Sequence, residues 1–384
     1  MRTSLLAGLG LAVLLVAGCN DNSDWDGPVD DAIVVNPGQS IQAAVDAAPA
    51  GATIKVNPGD YVEGHGGREA VRITKPLNLI ANSNIPGSRV RILPATGQKQ
   101  GILVEPANDG DPDVDGVVIK GFTVEGFPNN GIWLRHVTNF TIEGNESINN
   151  LENGIWPTLS TNGEVKKNVS YGAKDSALWV EASENVRVVE NDLSMSPTGL
   201  EVTVSNDIYM EGNDVHDNVV GVGLYHPSGA GLPPSEWPPS PFRNWQLTNN
   251  KIHDNNMPNN IQGGLVAELP PGGGVLVLGV QDVKIEDNTI ERNDFFGIAL
   301  IDYCVAVDGT DNSCGNNPPY YENTSPEDVS MIGNSVTDNG GDPPPGIFAQ
   351  FAGDILALGS PDANNCASDN IYQTSTQSPP LPPC

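Results

Sequence analysis

Val283-Lys284-Ile285-Glu286-Asp287-Asn288-Thr289-Ile290, followed by Gly297-Ile298-Ala299-Leu300-Ile301, decides the fold. In both halves the apolar side chains fall on alternate residues, the period of a strand with one buried face. The same pattern occurs seven times. Its asparagines are Asn145, Asn168, Asn191, Asn213, Asn250, Asn288 and Asn334. The glycine slot that follows holds Gly131, Gly154, Gly199, Gly221, Gly274, Gly297 and Gly346, with Ala177 where one glycine is missing. The first four asparagines are 23, 23 and 22 residues apart. A fixed period of this length is one supersecondary unit stacked on copies of itself.

No stretch of the repeat carries an apolar stripe at helical spacing. Each unit therefore reads as short strands joined by corners, making one turn of a coil whose apolar face is buried only by the next turn. The asparagines of successive turns stack, and their amides can hydrogen-bond along the column. The expectation is an all-β chain, a right-handed parallel β-helix of roughly nine turns. Asn82 and Gly121 serve as earlier, degenerate corners.

Residues 40–49 (SIQAAVDAAP) and 51–61 (GATIKVNPGDY) resemble the N-terminal cap of the pectate-lyase-like superfamily, and the repeats resemble its parallel β-helix repeats. Within that superfamily the likeness is to bacterial β-helix repeat lipoproteins. It covers residues 33–358. The bare edges of a coil's first turn invite aggregation. An amphipathic helix with Ile41, Ala44, Val45 and Ala48 on one face would plug that end.

The 384 residues fit one solenoid domain with elaborations. Arg2, an apolar run over residues 5–17 and Gly18-Cys19 read as a leader, residues 1–18, too short to span a bilayer. Val16-Ala17-Gly18-Cys19 resembles a lipobox, which implies lipidation of Cys19, a tether over 19–32 and a place in the bacterial cell envelope. Four further cysteines in an exported chain suggest two disulfides, Cys304–Cys314 and Cys366–Cys384, the second pinning a Pro-rich tail over 359–384. The formal net charge of −30 excludes nucleic acid as a partner and disfavours anionic polysaccharides unless a cation bridges the contact.

Three insertions interrupt the repeat, at 226–244, 257–273 and 303–327. The first and third leave the coil at the same corner. Ordered loops on a rigid scaffold are common places for function.

Aligning the strands after the glycine slot places Trp133, Trp156 and Trp179 in one outward column on consecutive turns. Flat aromatic faces pack on sugar C–H faces, so the column, with Tyr225 and His226 nearby, is a candidate ligand-binding surface. A structural aromatic ladder gives the same column. Arg135, Lys174, Asp175, Glu181 and Glu201 flank it. Carboxylates, Lys and Arg are what a polysaccharide lyase, epimerase or hydrolase needs, as base, acid and charge neutraliser. The same residues also fit a solvated charged face. The chain lacks the acidic clusters of pectate lyases and the Asp-Pro-His signature of alginate epimerases. Asp111, Asp113 and Asp115 resemble a Ca²⁺ loop, though Phe122 stands where a full loop places Glu. His216 and His253 occupy equivalent corners without metal-ligand spacing on either strand.

The expectation for function is thus an exported, lipid-anchored protein that binds a polysaccharide or an envelope protein along the tryptophan face. A lyase or epimerase acting on uronate polymers is the alternative.

Overall fold

The structure, a computed structural model, describes residues 32–82, 88–261, 267, 269–308, 323–358, 364–375 and 380–384. Three parallel sheets form the walls of the coil. Wall 1 has 12 strands, from Ile33–Val35 to Cys366–Ser368, and walls 2 and 3 have 10 each among the described residues. Wall 2 runs from Gly59–Val62 to Ser335–Thr337 and wall 3 from Glu69–Ile73 to Gly353–Leu358. Every strand pairs with the strand one turn away, in register: Val165 with Val188, Ile155 with Leu178, Leu193 with Val215. The inward columns expected from the alternation, such as Ile132, Leu178, Leu200, Val222 and Ile298, are fully buried.

The cap is present. Helix Ile41–Ala47 starts at Ser40, whose hydroxyl accepts from Ala43 N–H, and it buries Ile41 and Val45 against the first turns. Glu63 supports the helix start, accepting from Ile41 N–H at 2.7 Å and from Ser40 Oγ at 2.5 Å.

The asparagine column is a continuous ladder. Asn191 Oδ1 accepts from the backbone and side chain of Asn168 at 3.0 Å each, and its Nδ2 donates to Asn213 Oδ1 at 2.9 Å. A second ladder, not anticipated from the sequence, runs five residues further along: Asn218, Asn255, Asn293 and Asn339, each accepting from the previous rung. It ends on Asp354, whose carboxylate also captures Gln373 and Thr374 N–H. The glycine slot faces this corner. A Cβ at Gly154 would lie 2.0 Å from Ser170 Oγ and 2.4 Å from Ala177 O, so no side chain fits there.

Two expectations shift at the C-terminal end. Gly346 and Ile347 are not in a strand: residues 347–351 form a 3₁₀ turn, and Gly353–Leu358 pairs with Phe296–Ile301 instead. Both stretches alternate, and register with the preceding turn selects the later one. The coil also continues past residue 358, because Cys366–Ser368 pairs with Glu327–Ile332. The Pro-rich tail closes on that last strand through Ala367 N–H to Pro382 O and a Cys366–Cys384 disulfide with Cα atoms 4.8 Å apart. Cys304 is disulfide-bonded. Its expected partner Cys314, the leader, the tether and Cys19 lie outside the described residues.

Wall 1 alternates buried and open positions, as in Gln281–Glu286. Wall 3 does not: Ser176–Glu181, Thr198–Thr203, Val220–Tyr225 and Gly273–Leu278 are buried at every position. Their outer face is covered by the insertions. Leu269 of the second insertion packs with Val219, Tyr225, Leu276, Phe295 and Phe296. The first and third insertions touch through His226, whose ring stacks on Tyr303 at 4.3 Å and whose Nε2 reaches Asn323 O at 3.0 Å.

Candidate functional site

The predicted residues meet on the outer face of wall 3. Trp133 pairs in register with Trp156. The three indoles stack, with centroids 5.0 and 5.2 Å apart and planes 11° and 15° from parallel. This geometry corrects the expectation of three open faces. With the rings so nearly parallel and close along the column, each covers its neighbour's face. Trp156 and Trp179 are 9% and 5% exposed; Trp133, at the end of the stack, is half-buried.

The column continues as Glu201 and Gly223, which pair with Trp179 and with one another. A Cβ at Gly223 would stand 2.2 Å from Tyr225 Cζ. The glycine thus lets the Tyr225 ring fold back over the wall, and its hydroxyl reaches Thr198 Oγ1 at 3.2 Å. Glu201 is 3% exposed, in line with the indoles, and accepts from Ser176 Oγ at 2.5 Å.

The next column reads Arg135, Thr158, Glu181, Thr203, Tyr225. Each indole N–H aims one turn along it. Trp133 donates to Thr158 Oγ1 at 3.1 Å and Trp179 to Thr203 Oγ1 at 3.0 Å. The same step leads from Trp156 to Glu181. There the pairing fails: Trp156 Nε1 and Glu181 Oε2 are the two buried side-chain polar atoms without a hydrogen-bond partner among the described residues. The two groups nonetheless face one another, and the indole N–H acts on the Glu181 carboxyl as a weak hydrogen-bond donor that favours its ionised form.

The first insertion lies on this pair. Leu232 N–H donates to Glu181 Oε1 at 2.7 Å, Gly231 rests on Trp179, and Glu236 binds Arg135 Nη2 at 2.9 Å. Arg135 is therefore engaged by the insertion. Lys174 is exposed and Asp175 half-buried beside Glu152.

Three carboxyls are held in the neutral direction. Burial, and then the charge of Glu152, drives Asp175 up to about 6. Burial drives Glu181 up to about 7 against the Leu232 and Gly231 amides and Trp156. Burial, and then Asp175, drives Glu201 well above the usual carboxylate range. A carboxyl with a raised folded pKa stabilises the fold fully below its unfolded value, and loses that contribution as pH rises through the folded value. The protein should therefore melt higher at pH 5 than at pH 8. Glu201→Gln, which mimics the neutral acid, should melt about 2 °C or more above the parent at pH 8 and level with it at pH 5. A lower melting point at pH 8, read by differential scanning calorimetry, would contradict this account of Glu201.

Other predicted residues do not join the site. His226 is fully buried and Tyr225 likewise, so neither offers an open ligand surface; both serve the packing of the insertions. Asp111, Asp113 and Asp115 are exposed and face separate partners: Asn108, His136 and Asn139. Among the described residues no group of three or more His, Cys, Asp or Glu converges as a metal site, and these three aspartates do not form the expected calcium loop. His216 and His253 stack at 5.3 Å, each already engaged by two carboxylates: Asp192 and Asp217, Asp214 and Asp254.

A family profile described as "Right handed beta helix region" matches residues 98–232 and 240–370. No curated protein matches the sequence significantly. Among solved structures, the chain is similar to the Azotobacter vinelandii mannuronan C-5 epimerase AlgE4 A-module, with TM-score 0.63, 16% identity, and coverage of 86% of this chain and 82% of that one. It is similar to the DFA-IIIase of Arthrobacter chlorophenolicus A6 without its lid, with TM-score 0.56, 16% identity, and coverage of 88% and 82%. It is also similar to a tailspike protein mutant of E. coli bacteriophage HK620 in complex with a pentasaccharide, with TM-score 0.56 and 15% identity. There the match covers 89% of this chain and 60% of the tailspike. Such low identities establish the fold alone.

Proposed function

This chain belongs to the right-handed β-helix family, and on that premise we propose that it is an exported, lipid-anchored protein that binds a neutral polysaccharide on the outer face of wall 3. The observation that carries the reading is a carboxyl-rich aromatic wall whose accessible rim is Trp133, Lys174 and Asp175. Carboxyls and an indole edge are good partners for sugar hydroxyls. The −30 formal charge of the chain repels uronates, which selects a neutral chain. Two of the solved neighbours, a mannuronan epimerase and a tailspike in complex with a pentasaccharide, agree with a glycan as the class of partner. The lipid anchor rests on Cys19 and its lipobox, and an envelope protein is the competing partner class.

A uronate lyase or epimerase is the lesser reading. Asp175, raised towards neutrality beside exposed Lys174, favours it. Arg135 weighs against it, since Glu236 already occupies that guanidinium.

Calorimetric titration at pH 7 with neutral oligosaccharides and with uronate oligomers tests the proposal. Neutral ligands should bind and uronates should not. Trp133→Ala or Asp175→Asn should weaken binding about tenfold or more, the effect of removing a central contact. Equal or tighter binding of uronates would contradict the proposal. A new absorbance of unsaturated uronate on incubation would replace it with the lyase reading.

A further inference from the structure

We infer that the C-terminal residues form a two-part strap over the end of the coil: a fixed clamp at 371–375 and a tip at 380–384 that the Cys366–Cys384 disulfide latches across the last strand of wall 1. With the latch open, that strand pairs with its counterpart in a second copy of this chain.

A coil of parallel strands ends in bare edges at both ends. Helix Ile41–Ala47 covers the first turn. At the far end the strap serves all three walls. On wall 2, Ile371 O accepts from Val336 N–H and Ile371 N–H donates to Asn334 O, both at 2.8 Å. On wall 3, Thr374 O accepts from Ile355 N–H at 3.2 Å. Asp354 fixes this stretch, its Oδ2 accepting from Gln373 N–H, Thr374 N–H and Thr374 Oγ1 at 2.8, 3.0 and 3.2 Å. On wall 1, Pro382 O accepts from Ala367 N–H and Cys384 N–H donates to Ser368 Oγ, both at 2.9 Å.

The tip both stops the wall and sits lightly on it. Pro380, Pro382 and Pro383 have no N–H, so the tip accepts from the edge without offering a ladder for a further strand. Leu381 is the tip's partly buried anchor against the core. A cavity of about 210 Å³ lies between the tip and the last turn, lined by Met331, Ile355, Tyr372 and Leu381 among others, so the tip gains few packing contacts there. The covalent bond is its principal tie, and Cys384 is exposed to a reductant.

A dithiol opens the latch. It passes two electrons and two protons to the Cys366–Cys384 bond, leaving two thiols, and itself closes to a disulfide. The clamp stays on walls 2 and 3, because none of its bonds involves the tip. What opens is the single edge Cys366–Ser368, with the Ala367 N–H turned outward. The helix closes the other end of every copy, so the matching bare edge is the same strand in a second copy. Two such strands related by a twofold axis run antiparallel and form a closed dimer.

Two measurements test the inference. Hydrogen exchange on the full chain, with and without a dithiol, reads the two parts of the strap separately. Reduction should speed exchange of the Ala367 amide by about tenfold or more and leave the Val336 amide, under the clamp, unchanged. An unchanged Ala367 amide would overturn the latch, and equal loss at Val336 would overturn the division into clamp and tip. The second measurement is mass by light scattering over a range of concentrations. The parent should stay monomeric. Cys366→Ser/Cys384→Ser, which opens the latch and leaves no thiol from it to cross-link, should shift to dimer as concentration rises. Adding Ala367→Pro removes the outward N–H while sparing the bonds to the preceding turn, and should restore the monomer. A double-serine variant that stays monomeric would overturn the pairing, as would dimers that survive Ala367→Pro. Growth beyond the dimer would overturn the twofold arrangement. Should the double-serine variant fail to fold, the exchange result on the reduced parent decides the latch, and its mass under dithiol decides the pairing.

Discussion

Asn191→Ala should cost about 3–5 kcal/mol of stability, because four side-chain hydrogen bonds vanish inside the coil and leave buried partners unpaired. The side chain accepts twice from Asn168 and donates to Val165 O and Asn213 Oδ1, all between 2.9 and 3.0 Å. Water does not reach this column: Asn168, Asn191 and Asn213 are each 1% exposed. The stranded groups therefore lose their full desolvation energy, and the lost bonds count for less. Asn78→Ala is the comparison. That half-buried asparagine makes a single side-chain bond, to Thr53 Oγ1 at 3.3 Å, and should cost about 1 kcal/mol or less. Denaturant unfolding of both variants checks the contrast. Equal, small losses would mean that the ladder is ornamental.

Gly154→Val should be as damaging, by overpacking. Its Cβ would meet Ser170 Oγ and the Ala177 carbonyl at 2.0 and 2.4 Å, and the second contact is with backbone of the next turn. Nothing there can swing aside without opening the pairing between turns. Core overpacking typically costs about 1–3 kcal/mol, and a displaced ladder adds to it, so a loss near the upper end or beyond is expected. The variant should accumulate as aggregate or melt far below the parent. Gly64 is exposed, with no atom within 4 Å of where a Cβ would sit, and should accept Val with little change. A Gly154→Val protein that folds normally would mean that the turns sit farther apart than this packing requires.

The coil was legible because its cause repeats. Alternating apolar residues, one asparagine and one glycine per turn recur at the period of the turn itself, so register follows from counting. The second ladder was equally available, five residues after the first in Asn150, Asn218, Asn255, Asn293 and Asn339, but Ala173 and Ser196 break its identity. The final turn was misplaced because Gly346-Ile347 and Gly353-Asp354 offer similar local patterns, and only pairing with Phe296–Ile301 distinguishes them.

The site was half legible. Columns on a wall follow from the period, so the neighbourhood of Trp133, Trp156, Trp179, Glu181 and Glu201 could be read from spacing. Cover could not. Whether an insertion leaves the coil or folds back onto it depends on contacts between residues far apart in sequence, such as Leu232 with Glu181, 51 residues away, and Glu236 with Arg135, 101 away. No local pattern encodes them. The stacking of the indoles on one another is likewise a property of three turns together, and it turned an expected set of open faces into a covered ladder.

The most direct measurement is a crystal of the full chain soaked in a neutral oligosaccharide. The account predicts sugar density on the outer face of wall 3, against Trp133 and Asp175. A ligand seated on another wall, or an empty wall 3 at a saturating concentration of a sugar shown to bind in solution, would contradict it.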